Sequence, residues 1–197
     1  MDKVLLRIVN SKPLDLEALL SNRYIKEKDM LDILRFLKVE SKKERAAAFI
    51  LRNKYIGQVY YSSRGKPLSK SKFFNISHSK GVAVLATSSK DLGVDLEVIR
   101  PVDKKLKEYV TNKEEKKYIT DDESFFKIWT NKESLLKCLG MGIKSKMDKV
   151  PALPFDNVKY YDDKYVYSKT IVYKNMVITV TRMSDEPFEI EIKEETI

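Results

Sequence analysis

The chain has 197 residues, 43% of them hydrophobic, with 38 Lys and Arg against 29 Asp and Glu and a formal net charge of +9. That length supports a real core, as one domain or two small ones, and the charge suits an anionic partner without choosing among nucleic acid, a phosphorylated cofactor and an acidic protein. One cysteine, Cys138, excludes an internal disulfide, and one histidine, His78, excludes a multi-histidine zinc site, which leaves oxygen-ligated Mg2+ or Mn2+ as the expected metals.

The opening residues Met1 to Arg7 lack the apolar length of a signal sequence, and no apolar run approaches the roughly 20 residues of a membrane span. A reducing, cytoplasmic setting is expected. Lys3 to Val9 reads as a strand, and Leu14 to Leu20 and Asp29 to Leu37 read as helices, the latter with Met30, Ile33, Leu34 and Leu37 at helical spacing. Ser41-Lys42-Lys43-Glu44 has capping-box form and opens an Ala-rich helix from Arg45 to about Tyr55 that stops near Gly57. Val59-Tyr60-Tyr61 predicts a strand, followed by the basic turn Arg64-Gly65-Lys66-Pro67. Phe73 to Ser79 then leads into an apolar strand, Val82 to Ala86.

Leu92 to Val98 alternates strictly, with Leu92, Val94, Leu96 and Val98 on one strand face and Gly93, Asp95 and Glu97 on the other. Two carboxylates so placed stand roughly 6–7 Å apart at the backbone, and their side chains can converge on one hard cation. The plainer reading is a half-buried strand with a wet acidic face. Pro101 to Tyr118 predicts one or two charged helices. Thr120-Asp121-Asp122-Glu123 repeats the capping-box form and opens a helix through Trp129 to about Leu139, closed at Gly140-Met141-Gly142. Val158 to Tyr161, Tyr165 to Tyr173 and Met176 to Thr181 read as antiparallel strands with turns at Asp162-Asp163 and Lys174-Asn175. Glu189 to Glu194 reads as a weak final strand or tail. Each half thus runs strand, helix, capped helix closed by Gly, then strands. The expected fold is α+β, in two similar halves (residues 1–91 and 92–197) with a ligand in the cleft between them.

Trp129, Glu133 and Lys137 fall at i, i+4 and i+8 and share one helix face. A Glu/Lys pair at that spacing is ordinarily a surface ion pair worth a few tenths of a kcal/mol, but the neighbouring Trp129 indicates a face that packs. A carboxylate there completes a three-acid set with Asp95 and Glu97, and a Lys one turn on suits the phosphate oxygens that such a metal also holds. Asn75-Ile76-Ser77-His78-Ser79 supplies short polar donors ahead of a buried strand, which suits phosphate contact, although a lone His is more often a structural hydrogen-bonder.

Taken together, Phe74-Asn75-Ile76-Ser77-His78-Ser79, Gly93-Val94-Asp95-Leu96-Glu97 and Trp129-Thr130-Asn131-Lys132-Glu133-Ser134-Leu135-Leu136-Lys137 resemble the signature blocks of the 4′-phosphopantetheinyl transferase superfamily. Gly65-Lys66-Pro67 looks like its upstream Gly-Lys-Pro block, and the length and two-half layout resemble the internally duplicated, Sfp-type branch, a pseudo-dimer. The resemblance implies Mg2+-dependent transfer of the 4′-phosphopantetheine arm of coenzyme A to a serine of an apo acyl or peptidyl carrier protein, releasing adenosine 3′,5′-bisphosphate. It implies Asp95, Glu97 and Glu133 around Mg2+, with Mn2+ as a substitute. Glu133 becomes the general base and Lys137 the group that stabilises the pyrophosphate and protonates the leaving group. Arg45, Lys66, Ser77 and His78 become coenzyme A contacts. It further implies an acidic carrier partner, a monomer and no nucleic-acid or membrane partner. Two departures stand out. Ala46 occupies a position where relatives place a small hydroxyl residue, and nothing fixes the register of Lys26 and Lys28 as phosphate contacts. The competing readings are a basic nucleic-acid module using Tyr60, Tyr61, Tyr160 and Tyr161, and another Mg2+-dependent phosphotransferase or nuclease on the same acids.

Overall fold

The structure is a computed structural model that describes residues 2–142 and 146–197. Alternation in Asp2–Asn10 (β1) buries Val4, Leu6 and Ile8 on one face. A short helix, Leu16–Leu20 (α1), is capped by the Asp15 carboxylate, which accepts from the Ala18 amide at 3.0 Å. The next helix is Glu27–Leu34 (α2), not Asp29 to Leu37. Asp29 sits three residues past the cap residue and accepts the Lys26 amide, which starts the helix early, and the chain leaves it before Leu37, which is 97% exposed. Helix α3 spans Val39–Tyr55, so the box expected at Ser41 to Glu44 lies inside it. Glu44 has been recruited into a tertiary contact instead: its carboxylate accepts the Gly81 amide at 2.7 Å and meets His78 Nδ1 at 3.2 Å.

A two-residue ribbon follows, Tyr60–Tyr61 (β2) against Pro67–Leu68 (β3), with Gly65 at φ 83° in its turn. Phe73–Ser79 is itself a strand (β4), hairpinned to Val82–Ser88 (β5) and succeeded by Leu92–Val98 (β6). Two short helices, Lys104–Val110 (α4) and Lys113–Lys116 (α5), precede Asp122–Leu139 (α6). The capping box of α6 is Asp121 with Ser124, one residue later than expected, and Gly140 at φ 65° ends the helix. A 3₁₀ turn, Met147–Lys149, leads to Val158–Tyr161 (β7), Lys164–Tyr173 (β8), Met176–Arg182 (β9) and Phe188–Glu194 (β10).

The architecture is mixed α+β, with two four-stranded sheets ordered β10-β1-β5-β4 and β6-β9-β8-β7. Within them β1-β5-β4 and β6-β9-β8 follow the same rule: a first strand, intervening helices, then a hairpin whose second strand lies in the middle. The final segment, expected as a weak strand or tail, is a seven-residue strand that runs parallel to β1 and adds to the first sheet, with Phe188 1% exposed. One core joins the inner faces of both sheets (Val4, Leu6, Val84, Leu92, Val94, Leu96, Ile178 and Val180 among them). Helix α3 covers the other face of the first sheet and α6 that of the second. Both faces of β6 are therefore covered, so its acidic side is not a wet one.

Candidate active site

The seam between the sheets runs along β4 and β6, and side chains rather than backbone hold it. Asn75, Ser77 and Ser79 alternate along β4 and face β6. Asn75 Oδ1 accepts the Val94 amide at 3.0 Å and Ser77 Oγ accepts the Leu96 amide at 3.3 Å. Ser77 Oγ donates to Asp95 Oδ1 at 2.9 Å and Ser79 Oγ donates to Glu97 Oε2 at 2.6 Å. From the other side α6 approaches β6 so closely that a Cβ on Gly93 would lie 2.1 Å from the Ser134 carbonyl oxygen. This close approach brings Glu133 and Lys137 over the strand.

Lys137 Nζ donates to Asp95 Oδ1 at 2.6 Å and to Ser77 Oγ at 3.0 Å. Glu97 is held by Arg100 Nη1 at 2.7 Å as well as by Ser79. Glu133 is 4% exposed, and its pKa is pushed up from 4.5 to about 7, first by burial and then by the negative charge of Asp95, with a smaller push from Glu97; Lys137 offsets part of this. Among the described residues, Asp95 Oδ2 and Glu133 Oε1 are both buried with no hydrogen-bond partner. Buried carboxylate oxygens are rarely left so, and an all-oxygen donor set is what a hard divalent cation takes. Among the described residues, however, no group of three or more His, Cys, Asp or Glu side chains is arranged to hold a metal ion: Lys137 occupies Asp95, while Ser79 and Arg100 occupy Glu97. The residues fit such an ion chemically, with Lys137 as the cation that stands at the acids.

The remaining predicted residues lie around this centre. His78 reaches Glu44 of α3. Burial alone would raise the pKa of Glu44, but hydrogen bonds from His78 and the Gly81 amide outweigh it and hold the carboxyl below its ordinary range. Arg45 lies over the Phe49 ring at 4.8 Å, and its Nε is buried without a partner among the described residues. Ala46 is fully buried. Lys66 is 8% exposed and donates to Asp91 Oδ1 and to the Cys138 carbonyl, both at 2.6 Å. Lys26 and Lys28 are exposed, while Asp29 between them and α3 is buried against Arg52 at 2.7 Å. Burial pushes the Cys138 thiol up to about 12, which removes it as a nucleophile. Trp129 packs beside Phe125, ring centroids 6.2 Å apart, in the cluster that seats α6.

Sequence reasoning gave Lys132 no role, yet it is fully buried and donates to the Val110 and Met147 carbonyls, each at 2.7 Å, and to Glu115 Oε2 at 2.6 Å. It ties α6 to α4, α5 and the 3₁₀ turn directly behind Glu133. The available signal was its place three residues after Trp129 on the packed side of the helix. Glu44, too, was visible only as a cap. Among the described residues no helix is long and apolar enough to cross a membrane.

Residues 91–170 match the family model described as the 4′-phosphopantetheinyl transferase superfamily, a stretch that holds Asp95, Glu97, Glu133 and Lys137. The chain is similar to the 4′-phosphopantetheinyl transferase HetI of Nostoc sp., 33% identical over 105 residues, 46% of this chain and 44% of that protein. It is also similar to the 4′-phosphopantetheinyl transferase gsp of Aneurinibacillus migulanus, 33% identical over 123 residues, 59% of this chain and 47% of that protein. A putative 4′-phosphopantetheinyl transferase of Synechocystis sp. is 29% identical over 118 residues, 53% and 47% of the two chains. The chain thus spans less than half the length of these curated relatives.

Proposed function

We propose that this chain, whose residues 91–170 match the family model of the 4′-phosphopantetheinyl transferase superfamily, transfers the 4′-phosphopantetheine arm of coenzyme A to a serine hydroxyl of an apo acyl or peptidyl carrier protein. The observation that carries the reading is the pair of buried carboxylate oxygens on Asp95 and Glu133 that have no partner among the described residues, beside the Lys137 ammonium. That combination suits a polyanionic substrate and a proton to be removed next to it. The serine Oγ forms a bond to the phosphorus bearing the pantetheine arm, and the bond from that phosphorus to the oxygen of the leaving adenosine 3′,5′-bisphosphate breaks. Glu133, whose Oε1 is buried with no hydrogen-bond partner among the described residues, takes the serine proton as general base. Lys137 turns toward the diphosphate, neutralises the charge that spreads over its oxygens and supplies the proton for the leaving oxygen. Asp95, Glu97 and Glu133 are the residues that would hold a Mg2+ ion, or Mn2+ in its place, and that ion supplies further charge neutralisation when bound.

In this reading Ser77, His78 and Arg45 contact coenzyme A along the seam between residues 1–91 and 92–197, the two halves of the proposed pseudo-dimer. The net charge of +9 favours encounter with an acidic carrier. A monomer in the cytoplasm, with no nucleic-acid or membrane partner, completes the proposal. The test is incubation with coenzyme A, Mg2+ and an apo carrier. The expected result is a carrier mass gain of one phosphopantetheine, lost in Glu133→Gln although that variant stays folded. No gain across a panel of apo carriers, or a gain that survives Glu133→Gln, refutes the reading. Salt-steep binding of DNA or RNA that is indifferent to Glu133→Gln would instead mark a nucleic-acid module.

A further inference from the structure

We infer that Lys66 is a positioning residue that acts through the end of α6, and not a coenzyme A contact. The inference rests on the proposed transferase reading for its kinetic arm only. A helix leaves its last four carbonyls without intrahelical partners. At the end of α6 the Gly140 and Met141 amides return to the Lys137 and Leu136 carbonyls at 3.2 and 3.0 Å, as the left-handed conformation of Gly140 permits. Neither amide reaches the Cys138 carbonyl, and Lys66 Nζ donates to it at 2.6 Å. A cation at a helix C-terminus is also favoured by the helix dipole.

The same ammonium is anchored on its other side by Asp91 Oδ1 at 2.6 Å, and that oxygen also accepts the Leu92 amide at 2.8 Å, at the first residue of β6. The stem of Lys66 lies 3.4 Å from where a Cβ on Gly140 would be. One buried side chain from the β2–β3 ribbon therefore joins the start of the strand that carries Asp95 to the last turn of the helix that carries Lys137. Cys138, whose carbonyl it holds, follows Lys137 directly, so the register of the Lys137 ammonium on Asp95 depends on this clamp. Lys137 and Lys66 also line one small cavity of about 160 Å³ with Asn75 and Gly140. A free lysine there would be available to a phosphate, but Lys66 has its charge satisfied by Asp91 and its stem packed.

Lys66→Met and Asp91→Asn decide between the two roles, because the roles predict opposite signs at Asp91. If Lys66 clamps the helix, both variants lower kcat by roughly tenfold to a hundredfold, the scale of a misplaced catalytic group, and leave the KM for coenzyme A within about threefold. The loss is then the same with dephospho-coenzyme A as substrate. Backbone amide exchange at Gly140 and Met141 quickens in both variants. If Lys66 binds coenzyme A, Lys66→Met raises KM with kcat retained, and Asp91→Asn, by freeing the ammonium, lowers KM; either result overturns the inference. Unchanged kcat, or unchanged exchange at Gly140 and Met141, overturns it as well. Should Lys66→Met fail to fold, Asp91→Asn alone still separates the roles by its sign. Should the wild-type protein transfer nothing, the transferase reading falls while the exchange measurement still decides the clamp.

Discussion

Gly93→Ala tests how closely the helix and strand that make the site are joined. Gly93 needs no unusual backbone conformation, so a cost from alanine there is steric. A Cβ at this position would lie 2.1 Å from the Ser134 carbonyl oxygen and 2.3 Å from the Cys138 nitrogen. Both are backbone atoms of α6, so no side chain can rotate away and the helix must retreat by more than about 1 Å to reach ordinary contact. That retreat pulls on a ladder of buried hydroxyl contacts between α6 and the sheet: Thr130 to Thr179 and Ser134 to Thr181, each 2.8 Å. Overpacking costs about 1–3 kcal/mol, and each buried hydrogen bond stretched beyond its range adds about 1 kcal/mol. The expected loss is about 3–5 kcal/mol in urea unfolding. Because Glu133 and Lys137 move with the helix, carrier modification by the fraction still folded should fall by about a hundredfold. A variant within about 0.5 kcal/mol of wild type that modifies carrier normally would refute the reasoning.

Glu133 gives a pH dependence with a defined sign. Its folded pKa, about 7, lies above the ordinary 4.5, so between those values the folded state binds more protons than the unfolded chain, and stability falls as pH rises through that window. In divalent-free buffer the wild type should lose stability relative to Glu133→Gln from about pH 4.5 to 7, and adding Mg2+ at pH 7.5 should raise the Tm of the wild type but not of the variant; parallel pH curves would contradict this. Behind the site, Glu115→Ala strips the carboxylate from a fully buried Lys132 ammonium, whose pKa burial already lowers. The expected loss is about 3–5 kcal/mol in urea unfolding, and a loss below about 1 kcal/mol would mean that the two carbonyls on Lys132 suffice.

Local periodicity made the strands and long helices legible, and it failed where one spacing serves two purposes. Leu92 to Val98 alternates because each face meets a different layer, so the pattern is visible without knowing the layers. Ser41 to Glu44 has the spacing of a cap, but the same spacing suits an acid that reaches Gly81 and His78 of a distant hairpin, and only the fold separates the two. The last strand looked weak because its glutamates alternate with apolar residues on one edge of a sheet; its partner, β1, lies at the other end of the chain. Lys132 was invisible for a different reason. Lysine is almost never fully buried unless it is paired, and its pairing acid, Glu115, sits in a separate helix of four residues. Asp95 with Glu97, and Glu133 with Lys137, stood out because residues spaced by one strand repeat or one helix turn share a face, and Ser77 as a short polar donor ahead of a buried strand, although their meeting required the two sheets to join along β4 and β6.

The surface on which α6 rests explains why that meeting is reproducible. Where a helix usually lays an apolar stripe on a sheet, α6 presents Thr130, Asn131 and Ser134 to Ser168, Thr170, Thr179 and Thr181, and nearly all of these polar groups are buried. Asn131 donates to Thr170 at 2.7 Å and accepts from the buried Lys159 at 2.9 Å, and Ser168 meets Thr181 at 2.9 Å. An apolar interface tolerates sliding because dispersion has no direction, whereas a buried hydroxyl shifted off its partner leaves a polar group unsatisfied at about 1–3 kcal/mol. Each rung of the ladder therefore penalises a helix out of register, and the Gly93 contact below penalises one out of height. Those two restraints fix α6 along and across β6, which is what holds the Glu133 and Lys137 side chains over a strand from which Asp95 points back at them.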